Sequence, residues 1–302
     1  MAKLDRKSLE QSQLLNSKTQ SIFDPAFTKA LQAVPWEDWY QVESPLNCRQ
    51  EYLSFIDQWI HSTKLNSVSG LANFSRRDLI NGTTQAFDEF YFRYSDRHLR
   101  IFRGEYAYHQ RINNFTFIED APLAANDYLI ISYPFCSLGT QHPLMLETLN
   151  RAKELKLPVL IDAAYFGTCA GIKFDFSHPA IESVCFSLTK GLGLGDIRSG
   201  IRYSHYDDNL PISQQNNYNH TILGAAKIGL YMMQNFSPDF IPEKYGSLQK
   251  SICEDLGLTP TPCAHLATGD SDWDAYKIDS SINRIGLSGL IKAIRKKEIR
   301  WP

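Results

Sequence analysis

The 302-residue sequence contains no apolar run that approaches the roughly 20 residues required by a membrane-spanning helix. Its first 15 residues, MAKLDRKSLEQSQLL, lack the apolar core of a signal peptide. The formal net charge is only -2 at pH 7, so there is no basic excess to attract nucleic acid or an anionic membrane. We therefore expect a cytoplasmic protein that binds neither a membrane nor nucleic acid.

Cysteine is also scarce, and the six residues include no CxxC pair, which argues against a metal site. Cys169 and Cys185 lie beside or within apolar segments, which predicts small buried side chains. Apolar residues make up 43% of the chain and charged residues 21%. This composition is typical of a globular protein with a large buried core.

Short apolar runs recur along the middle of the chain and predict the strands of a sheet. They cover residues 99–102, 115–118, 128–133, 159–161 and 184–186. A helical pattern at 143–155 separates the third run from the fourth, and such crossovers predict a mostly parallel sheet in an α/β fold. Ligands of these sheets lie beyond the carboxyl ends of the strands, so Asp162, directly after Val-Leu-Ile, is a candidate site residue.

Further helices are predicted on either side of this region. Aromatic residues at helical spacing follow Gly82, Thr83 and Thr84, which predicts a turn that opens a helix. Similar patterns predict helices at 221–233 and 290–297, whereas the polar stretch 203–220 is interpreted as a loop.

The segment SVCFSLTKGLGLGDIRSGIRY holds the most informative chemistry. Its glycines, Gly191, Gly193 and Gly195, allow the backbone to approach a ligand closely. A desolvated Lys190 beside them would have a lowered pKa and act as a nucleophile towards an aldehyde. The segment is not a nucleotide P-loop, because the lysine precedes the glycines.

Taken singly, these features have ordinary explanations. A lysine before glycines is usually a solvated loop residue, and an aspartate after a strand is often a helix cap. Their combination and order are far more specific than any one of them.

In that order the residues resemble the class I/II aminotransferases, a family of fold-type I pyridoxal-phosphate (PLP) enzymes, from about residue 75 onwards. The matching motifs are Asp162-Ala-Ala-Tyr165, Ser187-Leu-Thr-Lys190, Arg198 eight residues after the lysine, and Arg284-Ile-Gly-Leu-Ser-Gly289. The resemblance implies that Lys190 forms the Schiff base with PLP and that Asp162 pairs with the ring nitrogen. It further implies that Tyr165 binds the ring's phenolic oxygen, that Ser187 and Arg198 bind the phosphate, and that Arg284 binds the substrate carboxylate.

Two weaker matches complete the implied site. Gly82-Thr83-Thr84 is similar to the turn that binds the PLP phosphate at a helix N-terminus, although a plain helix cap has the same appearance. Tyr106 is similar to the aromatic residue that stacks on the ring, with Tyr108 as the alternative. An ordinary core tyrosine would look the same.

Two departures from the family are evident. Cys136 stands where the family usually has an asparagine that donates to the phenolic oxygen, and a thiol is a weak donor. Tyr165 would then bind this oxygen alone, or with help from Ser137 or water. The chain is also short for the family, which suggests a reduced cover over the substrate.

The resemblance implies a seven-stranded, mostly parallel sheet flanked by helices, with a smaller α/β domain built from the two termini. The implied parts are 1–70 in the small domain, 71–215 as the PLP-binding domain, and 216–302 as the interdomain helix and the rest of the small domain. It also implies a homodimer, to which Tyr218 or Asn219 would contribute across the interface.

The implied activity is transfer of an amino group from an amino acid to a keto acid. Decarboxylation, β- or γ-elimination, racemisation and condensation use the same residues and stay open. So do a catalytically inactive PLP-fold binding module and an unrelated α/β enzyme.

Overall fold

The computed structural model describes residues 8–9, 12–35, 44–206, 208–278, 282–299 and 301. The strands are β1 (Ser67–Ser69), β2 (Arg76–Ile80), β3 (His98–Ile101), β4 (Phe115–Phe117), β5 (Asp127–Ser132), β6 (Val159–Asp162), β7 (Lys173–Asp175), β8 (Ile181–Ser187), β9 (Gly200–Ser204), β10 (Thr259–Pro260), β11 (Leu266–Gly269) and β12 (Asn283–Gly286). The helices are α1 (Pro25–Gln32), α2 (Pro45–His61), α3 (Thr83–Arg93), α4 (Met145–Leu155), α5 (Leu188–Gly191), α6 (Pro211–Asn217), α7 (Leu223–Asn235), α8 (Phe240–Leu256) and α9 (Ser288–Arg295).

A seven-stranded sheet forms the centre of the molecule, in the order β2-β9-β8-β6-β5-β3-β4. Strands β8, β6, β5, β3 and β4 pair in parallel, and β9 runs antiparallel to both of its neighbours. The predicted α/β class and the mostly parallel sheet are therefore confirmed. All five apolar runs that predicted strands fall on strands of this sheet.

Both faces of the sheet are covered, so its central strands are mostly apolar and do not alternate regularly with polar residues. All six residues of β5 are buried. Leu129 and Ile131 point into the core cluster shared with α2, α4 and α7, whereas Tyr128 and Ile130 point into the cluster shared with α3. The alternation of side chains along a strand places these neighbours on opposite faces.

A second, three-stranded antiparallel sheet, β10-β11-β12, lies in the C-terminal part of the chain. The N-terminal segment reaches this sheet, because Asn16 forms an isolated antiparallel bridge with Gly286 of β12. Segments near the two ends of the chain thus meet in space, and the division into a large and a small domain stays a prediction.

The helix predictions match α3, α4, α7 and α9 to within a few residues. The loop predicted at 203–220 is wrong, because α6 occupies part of it. This polar helix is stabilised by side chains from elsewhere: Asn216 bonds both the N–H and the C=O of Leu79, and Glu89 accepts from the N–H of Ile212. Within the described ranges, no helix has the length and apolar character needed to cross a membrane.

Candidate active site

The carboxyl ends of the parallel strands meet at one edge of the sheet, and three polar side chains stand there. Ser132 ends β5, Asp162 ends β6 and Ser187 ends β8. Ser132 and Asp162 are register partners, so their side chains emerge from adjacent strands at the same level. The predicted location of the site, beyond the strand ends and at Asp162, agrees with this geometry.

A pocket of about 240 Å³ opens above this edge. It is lined by Thr19, Thr83, Thr84, Tyr106, Ser132, Pro134, Cys136, Asp162, Ala164, Tyr165, Ser187, Thr189, Lys190, Gly195 and Arg198. Nine of the eleven residues predicted from the sequence are in this lining. The other two, Gly82 and Arg284, contact lining residues directly.

Lys190 lies in α5, a single turn that starts directly at the end of β8. Ser187 caps this turn, because its hydroxyl accepts from the backbone N–H of Thr189 at 3.3 Å. The Lys190 Nζ donates to the carbonyl of Thr19 at 2.6 Å. Burial lowers the pKa of the Lys190 amine, and the nearby guanidinium groups of Arg284 and Arg198 lower it further. A lower pKa leaves more of the amine neutral and nucleophilic near neutral pH.

Asp162 is buried at the base of the pocket. Burial raises the pKa of its carboxyl to about 7, and the buried carboxyl of Glu105 adds to the rise. Hydrogen bonds from the Ala164 backbone, at 3.0 Å, and from Thr83 oppose it. A buried carboxyl of this kind favours a cationic or proton-donating group opposite it, such as a protonated ring nitrogen.

The N-terminus of α3 forms the side of the pocket nearest Arg198. Gly82 precedes this helix with a φ of +69°, which glycine adopts without strain. A Cβ at Gly82 would lie only 3.0 Å from Nε of Arg198, so the absence of a side chain lets the guanidinium approach the helix. Among the described residues this buried Nε has no hydrogen-bond partner. Helix amides, Thr83, Thr84 and an unsatisfied guanidinium together suit a phosphate.

Cys136 lies between Arg284 and Tyr165. Its Sγ is 2.9 Å from Nη1 of Arg284 and 3.8 Å from the hydroxyl of Tyr165. Burial raises the pKa of the Cys136 thiol, although Arg284 opposes this. The Ser137 hydroxyl instead donates to the carbonyl of Gly104 and does not line the pocket. The alternative in which Ser137 helps Tyr165 is therefore disfavoured.

The aromatic wall of the pocket is Tyr106. This side chain is 42% exposed and stacks on Tyr108, with ring centroids 5.9 Å apart. Tyr108 is not in the lining, and its hydroxyl donates to Asp88 at 2.8 Å. Of the two tyrosines considered from the sequence, Tyr106 is the one placed at the pocket.

Sequence reasoning missed an N-terminal segment that closes one side of the pocket. The Thr19 hydroxyl bonds Tyr165, and the carbonyl of Ser17 accepts from Nε of Arg284 at 3.0 Å. These contacts join residues more than a hundred positions apart, and no local pattern marks them. Glu105 was missed for the same reason, since only the folded chain places it beside Asp162.

His265 is a further residue without a sequence signal. It is fully buried, and its ring meets that of Tyr165 edge-on at 4.7 Å. Neither ring nitrogen has a hydrogen-bond partner in the part of the chain that the structure describes. Burial lowers the pKa of His265 to about 3, so its imidazole is neutral at physiological pH.

No protein-family model and no curated protein matches this sequence. Solved structures do match. They include a tetra mutant of Thermus thermophilus aspartate aminotransferase, 14% identical, with a TM-score of 0.65 and 98% of each chain covered. An aromatic aminotransferase from Pyrococcus horikoshii OT3 is 12% identical, with a TM-score of 0.63, and covers 94% of this chain and 96% of its own. A PLP-bound candidate aminotransferase from Clostridium difficile 630 is 11% identical, with a TM-score of 0.61, over 90% of this chain and 87% of its own. The chain therefore has the fold of these aminotransferases.

Proposed function

We propose that this protein binds PLP through Lys190 and transfers an amino group from an amino acid to a keto acid. One observation carries the proposal. A single pocket contains a buried lysine with a lowered pKa, a buried carboxyl, and an arginine whose buried Nε has no partner within the described residues. PLP has a matching aldehyde, ring nitrogen and phosphate.

Each part of the pocket suits one part of this cofactor, which supplies an electron sink for reactions at an amino-acid Cα. Arg198, Thr83 and Thr84 would hold the phosphate at the start of α3. The Lys190 amine would bond to the aldehyde carbon, and Tyr106 would cover one face of the ring. Asp162 would hold a proton on the ring nitrogen, since a buried carboxylate strongly favours a cation opposite it.

The remaining residues would act on the substrate. Arg284 offers a guanidinium to the substrate carboxylate, next to the carbonyl of Ser17 and the thiol of Cys136. Once released from the cofactor, the Lys190 amine would take the proton from the substrate Cα. It would return this proton to the carbon that had been the aldehyde carbon of the cofactor. The lowered pKa of the amine suits this exchange, because a general base works best when its pKa lies near the operating pH.

A second candidate is another PLP-dependent reaction on an amino acid, without amino transfer. The observation that favours it is Cys136, which stands where the resemblance implies an asparagine. Its Sγ lies 3.8 Å from the hydroxyl of Tyr165. A thiol donates a weaker hydrogen bond, so Tyr165 would hold the phenolic oxygen with less help.

The test is to add PLP to the purified protein and record its absorbance spectrum. We expect a visible band, and we expect borohydride to fix the cofactor on Lys190 in a peptide map. Lys190→Ala should abolish both results, whereas Lys250→Ala, a change at an exposed lysine on α8, should alter neither. A folded protein that gives no band would refute PLP binding through Lys190.

Amino acids added to the loaded protein then separate the two candidates. Formation of the matching keto acid, in an amount equal to the enzyme and without an added acceptor, supports transamination. Release of carbon dioxide or ammonia, or inversion at Cα, supports the second candidate instead.

The implied homodimer is also proposed, with Tyr218 as the residue that crosses between subunits. Tyr218 is 67% exposed, whereas the side chain of Asn219 accepts from Nε of Arg49 at 2.9 Å within its own chain. The nearby groove that contains His220 shares Thr84 with the pocket, so a second chain seated there would reach the phosphate end of the site.

Light scattering should give a mass of twice 34.5 kDa. We expect Tyr218→Ala to weaken PLP binding, and Phe92→Ala, at an equally exposed aromatic residue, to leave it unchanged. A monomer at all concentrations would rule out the dimer.

A further inference from the structure

Two buried cysteines outside the pocket face each other across different parts of the chain. Cys169 follows the short 3₁₀ helix Phe166–Thr168, directly after Tyr165. Cys263 lies between β10 and β11. Both are fully buried and neither is in a disulfide. They are the two partners of an isolated antiparallel bridge.

The hydrogen bonds beside this bridge show which kind of pair it is. The N–H of Ala170 donates to the carbonyl of Pro262 at 3.1 Å, and the N–H of Ala264 donates to the carbonyl of Thr168 at 2.9 Å. These bonds flank the two cysteines and do not join them. Cys169 and Cys263 thus form the narrow type of antiparallel pair, whose Cα atoms lie about 4.5 Å apart. That separation is within the roughly 4.4–6.8 Å range of disulfides.

The side chains are also placed for a bond. The side chains of a narrow pair lie close together on one face, and the Cys263 thiol raises the pKa of the Cys169 thiol beyond the effect of burial. Each Sγ donates to a backbone carbonyl: Cys169 donates to Phe166 at 3.1 Å, and Cys263 donates to Gly139 at 3.4 Å. Both contacts are weak and are the main polar interactions lost if the sulfurs turn towards each other.

We propose that Cys169 and Cys263 form an oxidative modification site, at which a peroxide converts the two thiols into a disulfide. One thiolate takes an oxygen atom from the peroxide and becomes a sulfenic acid. The rest of the peroxide leaves as an alcohol or water. The second thiol attacks that sulfur and expels water. Two thiols and one peroxide therefore give one disulfide, one alcohol or water, and one further water. The site takes a small peroxide because neither sulfur is exposed.

The bond would tie together two segments that border the candidate active site. Cys169 lies four residues after Tyr165, and Cys263 precedes β11, which pairs with the strand that carries Arg284. The bond would close a loop of roughly 95 residues, and a long loop strongly restricts the unfolded chain. We therefore expect the oxidised protein to unfold at a higher temperature. The reaction will be slow, because the raised pKa of Cys169 leaves little thiolate.

The test uses the full chain with Cys48→Ser, which removes the one half-buried cysteine and so limits disulfides between molecules. The protein is treated with hydrogen peroxide and digested without reduction. We expect a Cys169–Cys263 cross-linked peptide, a loss of two hydrogens from the intact mass, and a rise in Tm that dithiothreitol reverses.

Three variants in the same background act as controls. Cys169→Ser and Cys263→Ser should each abolish the cross-link and the rise in Tm, whereas Cys185→Ser, at another buried cysteine, should keep both. A peptide map that links any other pair would overturn the proposal. The proposal would also be overturned if the native protein kept both thiols under a peroxide treatment that cross-links the unfolded chain. Alkylation of the thiols after denaturation would detect this outcome. These readouts need no bound cofactor and are independent of the proposed function.

Discussion

At the scale of single residues, the most consequential feature is the pairing of two buried acids, Asp162 and Glu105. Glu105 accepts from the N–H of Ser132 at 2.8 Å, and Ser132 is the register partner of Asp162. Burial raises the pKa of both carboxyls, and the Glu105 carboxyl raises the pKa of Asp162 further. The folded protein is thus less stable when the Asp162 carboxyl is ionised.

This leads to a pH-dependent prediction for the protein without cofactor. The pKa of Asp162 is about 7 in the folded chain and 3.8 at its ordinary value. Because the folded state holds the proton more tightly, the contribution of Asp162 to stability is greatest below pH 4 and is lost as the pH rises to 7. Since one pKa unit corresponds to about 1.4 kcal/mol, Asp162→Asn should stabilise the protein by roughly 2–4 kcal/mol at pH 8.

Urea unfolding at pH 4.5 and pH 8 measures the difference. The advantage of Asp162→Asn over the original protein should be small at the lower pH and large at the higher one. Asp120→Asn, at an exposed carboxyl, is the matched control and should show no such dependence. An advantage that does not change with pH would contradict the assignment.

At the scale of elements, the position of Lys190 depends on how closely α5 packs against the 3₁₀ helix Phe166–Thr168. Gly191 of α5 and Gly167 of the 3₁₀ helix meet backbone to backbone. A Cβ on either would lie 2.8 Å from the Cα of the other, which no side chain tolerates without movement. This close contact holds α5, which carries Lys190, against the 3₁₀ helix that follows Tyr165.

Gly191→Ala should therefore displace α5. Overpacking of this kind costs about 1–3 kcal/mol, so we expect a lower free energy of unfolding together with weaker PLP binding through Lys190. The control is Gly246→Ala in α8, where a Cβ would have no neighbour within 4 Å. Alanine there should stabilise the helix by about 0.5–1 kcal/mol. Equal stabilities of the two variants, measured by urea unfolding, would exclude the close contact.

At the scale of the whole molecule, a buried ionic network fastens the antiparallel strand β9 to its surroundings. Arg202 of β9 donates to Asp78 of β2 at 2.7 Å and to Glu89 of α3. Glu89 also accepts from the N–H of Ile212, the second residue of α6. One guanidinium thus connects two strands and two helices at the edge of the sheet next to the pocket.

Arg202→Met should be strongly destabilising, because it removes the cation from the buried Glu89 and one of the two cations from the buried Asp78, which keeps Arg76. Loss of one partner from a buried ion pair costs about 3–5 kcal/mol. Arg151→Met removes an exposed pair with Glu154 and should have little effect. Chemical denaturation of both variants is the measurement, and similar midpoints would show that the network does not stabilise the fold.

The sequence alone predicted the features that depend on regular spacing along the chain and the polar residues at the ends of those features. Apolar runs predicted strands of the main sheet, and the helical pattern at 143–155 predicted α4. Asp162, Ser187 and Lys190 follow or end predicted strands within a few residues, and all three line the pocket. Local patterns of this kind reflect periodic burial and turn geometry, which any stretch of sequence displays by itself.

Only the tertiary structure decided the rest. The antiparallel direction of β9 and the helix α6 depend on contacts with distant residues such as Glu89 and Leu79. The position of Thr19 next to Lys190 and the position of Glu105 next to Asp162 likewise depend on the folded chain. These groups act through distance and burial, and a linear sequence contains neither quantity until the chain is folded.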